Sequence, residues 1–208
     1  MYKKYLVLFV LFTFTYQIPK TSAAEDNYLP LNILVDRSNC LPADYNPEVL
    51  SEAQIAIEKL IEVAEGNGVK IHINSSFRSF ALQKSLHKRK PSVTAPPECS
   101  EHQLGTTFDV AWPGNYSHWI GENELVWTWL KDNSHLYGFV ISYPYKECLV
   151  KGSIKNNNYS PGCGVEYKWE PWHIRFVGKD LASKIYNAGY LDPKSEVLPQ
   201  HFYIRLNH

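Results

Sequence analysis

Two short segments of the chain place ionisable side chains within apolar and aromatic sequence. The first, CSEHQLGTTFDVAW, covers residues 99–112, and the second, KWEPWHIRF, covers residues 168–176. Each segment combines a histidine with a carboxylate among residues that suit the interior of a sheet. They are either two halves of one metal site or two unrelated strands with a histidine each. The fold must therefore either bring them together or bury each of them separately.

The pattern of apolar residues predicts interleaved helices and strands. Helices are predicted at residues 47–65, 79–88, 122–136 and 179–187, and strands at 69–77, 105–112, 139–144, 165–169 and 173–177. Few of the connections have the length of a regular crossover unit. The 208 residues are 44% hydrophobic, which is enough for one well-filled core. The sequence therefore predicts a single α+β domain with a small, largely antiparallel sheet flanked by helices.

Residues 1–24 have the composition of an export signal. Lys3 and Lys4 precede an apolar stretch, residues 5–16, and small residues follow at 22–24. The stretch is shorter than the roughly 20 residues that span a bilayer, and an uncleaved anchor or a buried helix is the alternative. We therefore expect a signal peptide at 1–24, a mature domain at 25–208 with no stable membrane span, and a secreted or periplasmic location.

The charge of the chain argues against nucleic acid as a partner. The full chain has 21 basic and 21 acidic residues, and removal of residues 1–24 takes away Lys3, Lys4 and Lys20 but no acid. The mature chain would then carry 18 basic against 21 acidic residues, with no block of Lys and Arg. A nucleic-acid-binding protein usually carries a basic patch.

The four cysteines are read as disulfides if the chain is exported. Four cysteines allow three pairings. We favour Cys148 with Cys163, because these two residues bracket a loop rich in Gly, Asn, Pro and Ser that a bridge would tether. Cys40 would then pair with Cys99 and tie the N-terminal arm beside the first segment. Free buried thiols are the alternative.

His102 and Asp109 are candidate metal ligands. If residues 105–112 form a strand, Asp109 projects from one face and His102 lies in the loop that leads into it. Imidazole and carboxylate are suitable zinc ligands, and a catalytic zinc site has three protein ligands. His173 is the natural third ligand. A single histidine is more often structural than a ligand, so the prediction depends on the combination.

Glu170 and His173 are three residues apart, and residues at an odd separation on a flat strand point to opposite faces. Both can face one metal only if the backbone bends between them, and Pro171 provides a reason for a bend. Glu170 would then be the general base that takes a proton from zinc-bound water. The alternative is a surface glutamate.

Other types of site fit the sequence less well. It has no His-Glu-x-x-His helix. Two histidines and a carboxylate could hold non-haem iron, but export away from a supply of Fe(II) argues against it. Cys99 and His102 could help to bind a structural zinc ion, yet no second close pair completes four ligands. Ser100, His102 and Asp109 have the residue types of a hydrolase triad, but Ser100 is not in a Gly-x-Ser-x-Gly turn.

Three motifs occur in order along the chain, namely SSFRS at 75–79, SEHQLGTTFDV at 100–110 and EPWHIRFVG at 170–178. They resemble the Ser-Gly-Tyr-Arg-Ser, Ser-x-His-x-x-Gly-x-x-x-Asp and Glu-x-Trp-His motifs of VanY-type D-alanyl-D-alanine carboxypeptidases. This family of zinc peptidases of peptidoglycan is related to D-Ala-D-Ala dipeptidases and shares its fold with the hedgehog signalling domain. The likeness extends from residue 31 to about residue 192.

The resemblance implies one zinc ion per chain, bound by His102, Asp109 and His173, with Glu170 as the base. It also implies four residues that contact the substrate. Arg78 would bind the substrate and polarise the scissile carbonyl. Gln83 and Ser100 would hold the terminal end of the substrate, and Trp172 would form a wall of the site. A guanidinium suits the task of Arg78, because it stays charged and presents a fork of donors.

The expected function is removal of the terminal D-amino acid from peptidoglycan stem peptides or muropeptides by an exported, monomeric zinc carboxypeptidase. An L,D-carboxypeptidase or an endopeptidase that cuts cross-links is the enzymatic alternative, and a zinc-containing binding module without turnover is the other. The sequence departs from the family pattern at residues 74–77, where the usual glycine before Arg78 is missing. The long loop between Cys148 and Cys163 also leads directly into the Glu170 motif, so the choice of substrate is less certain than the chemistry.

Overall fold

The structure is a computed structural model that describes residues 28–115, 121–149, 158–160 and 162–206. The predicted signal peptide at 1–24 lies outside the described residues, as does most of the loop between Cys148 and Cys163. Among the described residues, no helix is both long and apolar enough to cross a bilayer.

A four-stranded antiparallel sheet forms the centre of the fold. Its strands are β1 (His72–Ser75), β2 (Thr107–Ala111), β3 (Phe139–Tyr143) and β4 (Glu170–Phe176). The spatial order is β1-β2-β4-β3, and every neighbouring pair is antiparallel. All residues of β2 and β3 are buried, as expected for strands covered on both faces. The predicted α+β domain with a small antiparallel sheet is confirmed.

Four helices lie in the part of the chain that the structure describes. They are α1 (Ser51–Gly66), α2 (Phe80–Arg89), α3 (Asn123–Asn133) and α4 (Lys179–Asn187), and short 3-10 helices cover Glu101–Leu104, Ser134–Tyr137 and Pro199–Phe202. Ile57 and Leu60 of α1 and Ile185 of α4 are fully buried in one core with Phe108 and Ile174 of the sheet. The helical spacing of the apolar residues thus brings one face of α1 and one face of α4 onto the sheet.

The first helix begins later than the sequence predicts. Pro47 was expected in its first turn, but Glu48 has a left-handed φ of 65° and Leu50 is extended. The amide of Leu50 donates to the Gly105 carbonyl at 2.9 Å, so the chain turns here to contact the loop before β2. A tertiary contact therefore delays the helix to Ser51.

The predicted strand at residues 165–169 is wrong, because the segment is irregular. Side-chain contacts, and not the backbone hydrogen bonds of a sheet, attach this segment to the domain. The Tyr167 hydroxyl donates to the Cys99 carbonyl, and the Tyr167 ring packs edge-on against Tyr143 at 5.5 Å. The α-helix predicted at 122–136 is also shorter, since its last turn is the 3-10 helix Ser134–Tyr137, which Gly138 caps.

Irregular pairing bends the sheet at two places. A step of two residues in β1, from Ile73 to Ser75, matches one step in β2. A step of two residues in β3, from Ile141 to Tyr143, matches four residues in β4, from Ile174 to Glu170. The second irregularity contains Pro171, in keeping with the preference of proline for bulges. The regular pairing of β3 with β4 is thus interrupted between Glu170 and Ile174, where a bend is needed for Glu170 and His173 to face the same metal.

The N-terminal arm is tied to the rest of the domain at several points. Ile33 forms a parallel bridge with Ile204 near the C terminus, and the Leu41 amide donates to the Glu98 carbonyl at 2.9 Å. Disulfides join Cys40 to Cys99 and Cys148 to Cys163, which are the two pairs that the sequence favours. The first disulfide attaches the arm directly before the segment that carries His102.

Candidate metal centre

The structure brings His102, Asp109 and His173 together. One ligand atom from each residue lies within 4.8 Å of the other two, and no other group of potential metal ligands forms among the described residues. The three residues are 1%, 8% and 4% exposed. The two sequence segments therefore meet in one cluster.

Strand register positions two of these residues and a helical turn positions the third. Asp109 of β2 lies directly opposite His173 of β4. In an antiparallel pair such opposed side chains lie on the same face of the sheet. His102 comes from the 3-10 helix before β2, whose N-cap Ser100 accepts from the His102 amide at 3.4 Å.

Gly105 makes the turn between His102 and β2 feasible. Its φ of 75° is in the left-handed region, and its amide donates to the His102 carbonyl. A Cβ atom at this position would lie 1.8 Å from the Glu48 carbonyl oxygen. Only glycine avoids both the backbone strain and the collision, which accounts for the glycine in the His102 motif.

His102 presents Nε2 to the cluster. Its Nδ1 lies 2.7 Å from the Ser76 carbonyl, which can only accept, so Nδ1 carries the proton. Burial, opposed by Asp109, lowers the pKa of His102 to about 4, so the ring is neutral near pH 7. Nε2 then faces Asp109 Oδ2 at 3.1 Å without a hydrogen bond. Two lone pairs at this distance suit a cation between them, so the residues fit a metal ion.

His173 presents its other nitrogen, Nδ1, to the cluster. Nδ1 lies 3.1 Å from Asp109 Oδ1, and Nε2 lies 3.0 Å from Glu101 Oε2. Burial opposes a charge on this ring, but hydrogen bonds with Asp109 and Glu101 raise the pKa of His173 to about 10. A proton on Nδ1 would form a hydrogen bond between His173 Nδ1 and Asp109 Oδ1, and a metal ion in place of that proton could bind to both atoms. The donor set of two imidazoles and one carboxylate is one that zinc prefers.

Glu170 lies beside this cluster, at the edge of the cleft. Its Oε2 is 3.6 Å from His173 Nδ1, and its side chain is 23% exposed. The irregular pairing at Pro171 thus brings Glu170 and His173 to the same side. Burial, opposed by the charge of His173, raises the pKa of Glu170 to about 7. A carboxyl group with this pKa can both accept and release a proton near neutral pH.

Arg78 contacts the cluster from the opposite strand edge. Its Nε donates to Ser75 Oγ at 2.8 Å, and its Nη2 pairs with Asp109 Oδ2. The extra residue in β1 places Ser75 opposite Asp109, and Arg78 follows three residues later. The guanidinium therefore lies between the candidate ligand Asp109 and the open cleft, which it also lines.

A cleft of about 810 Å³ opens above the cluster. Besides the three clustered residues and Glu170, its lining includes Ser100, Tyr143 and Trp172. Its basic side chains are Arg37, Arg78, Lys90 and Lys168. Gln83 does not line it, because this residue is fully buried and its Nε2 donates to the Ala95 carbonyl at 2.7 Å. Gln83 thus supports a wall of the cleft from behind.

Two buried charged residues at the site were missed in the sequence. Glu101 and Arg175 form an ion pair at 2.8 Å beneath His173. Burial opposes the charge on Glu101, but Arg175 and His173 lower the pKa of its carboxyl group to about 2. The alternation of side chains along a strand could have revealed Arg175. This residue lies two positions after His173 and therefore faces the same side of the sheet.

Two histidines and a carboxylate that converge beside a glutamate in an open cleft are an arrangement that suits a metal-dependent hydrolase. Within that class, the family VanY, described as D-alanyl-D-alanine carboxypeptidase, matches residues 46–179. The chain belongs to this family. The resemblance noted in the three motifs is thereby confirmed.

Relatives and solved structures agree with this assignment. A D-alanyl-D-alanine carboxypeptidase of Enterococcus faecalis (strain ATCC 700802 / V583) is 30% identical over 184 residues, which cover 76% of this chain and 62% of that protein. The L,D-carboxypeptidase DacB from Streptococcus pneumoniae is 28% identical, with a TM-score of 0.59 over 78% of this chain and 86% of that one. A D,D-pentapeptidase VanY variant from a VanB-type resistance cassette, in complex with Zn(II), shares the fold, with a TM-score of 0.61, 24% identity and coverage of 82% and 97%.

Proposed function

We propose that this protein is an exported zinc carboxypeptidase that removes the terminal D-amino acid from peptidoglycan stem peptides. The observation that carries the proposal is the convergence of three potential ligand atoms with Glu170 in one open cleft. The similarity to the Enterococcus faecalis D-alanyl-D-alanine carboxypeptidase supports the choice of substrate. The domain at 25–208 would act after removal of residues 1–24.

One zinc ion would be held by His102 Nε2, a carboxylate oxygen of Asp109 and His173 Nδ1. A zinc ion in such a site polarises a carbonyl group and lowers the pKa of a bound water. Burial and hydrogen bonds hold these ligand atoms within 4.8 Å of one another. Ordered ligands lower the entropic cost of binding.

Glu170 would move the proton. Its Oε2 faces the same region as His173 Nδ1, so a water beside the cluster lies within reach of the carboxylate. Glu170 would take the proton from that water as it attacks the peptide carbonyl, and deliver it to the departing amino group of the terminal residue. A side chain that transfers protons in this way contributes a factor of roughly 10²–10⁴ to the rate.

Arg78 and its basic neighbours would bind the negative end of the substrate. A C-terminal peptide carries a carboxylate, and a guanidinium presents a fork of donors that matches it or an oxyanion. Ser100 adds a hydroxyl group at the cleft, and Trp172 forms one wall with its ring 6.5 Å from that of Trp127. Gln83 would act indirectly, through the loop that contains Ala95.

Export of the protein has support from its cysteines. Disulfides persist in oxidising compartments, and both pairs of cysteines in this chain are joined. Together with the composition of residues 1–24, this favours a secreted or periplasmic enzyme whose substrate, peptidoglycan, lies outside the cytoplasm.

An L,D-carboxypeptidase is the second candidate. The similarity to DacB favours it, since that protein is an L,D-carboxypeptidase with comparable identity and coverage. The two activities differ in the residue before the scissile bond, which is a D-alanine in the pentapeptide and an L-configured centre in the tetrapeptide. The residues of the cleft walls, rather than those of the metal cluster, would determine which of the two substrates is cleaved.

Product analysis tests these candidates. Purified protein is incubated with a stem pentapeptide, a stem tetrapeptide and a cross-linked dimer, and the products are weighed by mass spectrometry with and without a zinc chelator. We expect the pentapeptide to lose one alanine, and the reaction to stop on chelation and resume with added zinc. Cleavage of the tetrapeptide alone would favour L,D activity. Binding of muropeptides without cleavage of any of them would contradict a catalytic role.

A further inference from the structure

Beneath the candidate metal cluster lies a buried chain of charged groups that the proposed reaction does not use. Arg175 Nη1 donates to Glu101 Oε1 at 2.8 Å, and Glu101 Oε2 lies 3.0 Å from His173 Nε2. Glu101 is 2% exposed and Arg175 is fully buried. Arg175 does not line the cleft, and the side chain of Glu101, which borders it, is only 1% exposed and is paired with His173. A role of this pair in catalysis therefore acts through His173.

The proton between Glu101 and His173 can be assigned from chemistry alone. An ionised carboxylate only accepts hydrogen bonds, so His173 Nε2 must be the donor. Nδ1 of the same ring is then the nitrogen that faces Asp109 Oδ1 and the cluster. His102 has the opposite arrangement, because the Ser76 carbonyl accepts from its Nδ1 and leaves Nε2 for the cluster. The partner outside the cluster thus selects the ligand nitrogen of each histidine.

Arg175 holds Glu101 in the orientation that this requires. Its Nη2 also donates to the carbonyls of Leu31 and Ile33, at 2.8 and 2.6 Å, and its guanidinium lies 4.4 Å from the centre of the Tyr203 ring. The guanidinium is therefore fixed by the N-terminal arm on one side and by the C-terminal segment on the other. A fixed donor turns Oε1 of Glu101 toward itself and leaves Oε2 for His173.

We propose that Glu101 is a positioning residue for the metal site: held by Arg175, its carboxylate keeps the His173 proton on Nε2 and so presents Nδ1 as a metal ligand. The proposal rests on the proposed zinc site, and it adds the reason why this histidine binds through Nδ1. Partners of this kind orient ligating histidines in many metal sites, and their loss costs about 10–100-fold in metal affinity. It also gives the N-terminal arm a role at the site, because Leu31 and Ile33 hold Arg175.

The substitution Glu101→Gln makes the proposal testable, because an amide has only one acceptor atom. Arg175 can only donate, so the carbonyl oxygen of the glutamine would turn to Arg175 and its amino group would face His173 Nε2. Two donors would then meet, unless the His173 proton moves to Nδ1 and blocks the ligand atom. We expect zinc affinity, measured by competition with a chromogenic chelator, to fall about 10–100-fold.

The double variant Glu101→Gln/Arg175→Met separates positioning from packing. Without Arg175 the glutamine is free to turn its carbonyl oxygen to His173, so most of the lost zinc affinity should return, although the variant is less stable than either parent. Arg175→Met alone should lower zinc affinity less than Glu101→Gln does, because Glu101 still accepts from His173 but is no longer held by the guanidinium. A double variant that binds zinc more weakly than Glu101→Gln would overturn the proposal.

Lys146→Met provides a matched control for the loss of a buried charge. Lys146 is 2% exposed and donates to the carbonyls of Asp192 and Ser195, at 3.0 and 2.9 Å, but it does not line the cleft. The Lys146→Met variant should lower the urea concentration at the midpoint of unfolding, as we expect for Arg175→Met, and should leave zinc affinity unchanged. A loss of zinc affinity in Lys146→Met equal to that in Glu101→Gln would show a general effect of stability and overturn the proposal.

Nuclear magnetic resonance of the histidine rings gives a readout that does not need the double variant to fold. In the zinc-saturated wild type the Nε2 proton of His173 should exchange slowly with solvent, since Glu101 accepts it. In Glu101→Gln without zinc the ring proton should lie on Nδ1, and a proton that stays on Nε2 there would contradict the proposal. Failure of the wild type to cleave muropeptides would count against the proposed function but not against this result, which depends only on zinc and the rings.

Discussion

The floor of the cleft and its wall are built in different ways. The floor consists of the clustered residues His102, Asp109 and His173, and strand register and hydrogen bonds to buried partners hold it. The wall contains Glu170, Trp172 and the irregular segment at residues 165–169, which side-chain contacts attach to the domain. Residues of the floor are almost fully buried, whereas Glu170 is partly exposed.

This difference assigns different tasks to the two regions. A ligand cluster must hold several atoms in place against their mutual repulsion, and regular pairing of two central strands does this with little freedom. A substrate-binding wall must fit one particular peptide, and an irregular segment can vary without disturbing the sheet. Substitutions in the floor should therefore change metal binding or stability, and substitutions in the wall should change turnover or substrate affinity.

Glu170→Gln should have the largest effect on catalysis without an effect on the floor. The amide cannot accept the proton from water, so we expect kcat to fall roughly 10²–10⁴-fold. Zinc content, measured by atomic emission, should stay at one ion per chain. Asp109→Asn is the matching change in the floor and should lose zinc as well as activity. Full activity in Glu170→Gln would contradict the role of this residue.

Gly105→Ala should be the most destabilising single change near the floor. The added Cβ would meet the Glu48 carbonyl at 1.8 Å in a backbone with φ of 75°, so we expect a loss of about 4 kcal/mol or more in the free energy of unfolding. Gly68→Ala is the control, because φ there is 79° but nothing lies within 4 Å of the new atom. It should cost only about 1–2 kcal/mol. Equal losses in urea denaturation would show that backbone strain, and not the contact with Glu48, decides the effect.

The two disulfides allow a comparison of floor and wall at the level of stability. The Cys40–Cys99 bond closes 59 residues and the Cys148–Cys163 bond closes 15. Loop entropy predicts that replacing both cysteines of each pair by alanine costs about 4 and about 3 kcal/mol, respectively. Only the first replacement should also weaken zinc binding, because Cys99 directly precedes the segment that carries His102. Weaker zinc binding after loss of Cys148–Cys163 alone would reverse the assignment of floor and wall.

Tyr167→Phe should have the smallest effect and test the wall alone. The change removes the hydroxyl that donates to the Cys99 carbonyl, which should lower the free energy of unfolding by about 1 kcal/mol. Because the segment before Glu170 loses its tether, KM for the stem peptide should rise while zinc affinity stays constant. Steady-state kinetics and the chelator competition measure the two quantities. An unchanged KM would indicate that packing of the Tyr167 ring on Tyr143 is sufficient.

The structure also indicates which features could be predicted from residue pattern. The helices α2 and α4 and the central strands follow from apolar spacing and caps, and α4 begins and ends at the predicted residues. His102, Asp109 and His173 could be selected because imidazole and carboxylate groups are zinc ligands and occur together in two apolar segments. The strand predicted at 165–169 was wrong because the alternation there reflects separate anchoring contacts of Tyr167 rather than a ladder.

By itself, the sequence of this protein determined the class of fold and the three clustered residues, since these depend on local pattern and on the chemistry of single side chains. Only the tertiary structure decided the rest. The bend that turns Glu170 toward His173 comes from pairing with β3, and the start of α1 comes from a contact with Gly105. The pairing of Glu101 with Arg175 depends on residues 74 positions apart. Such contacts follow from the packing of whole elements, which no local pattern encodes.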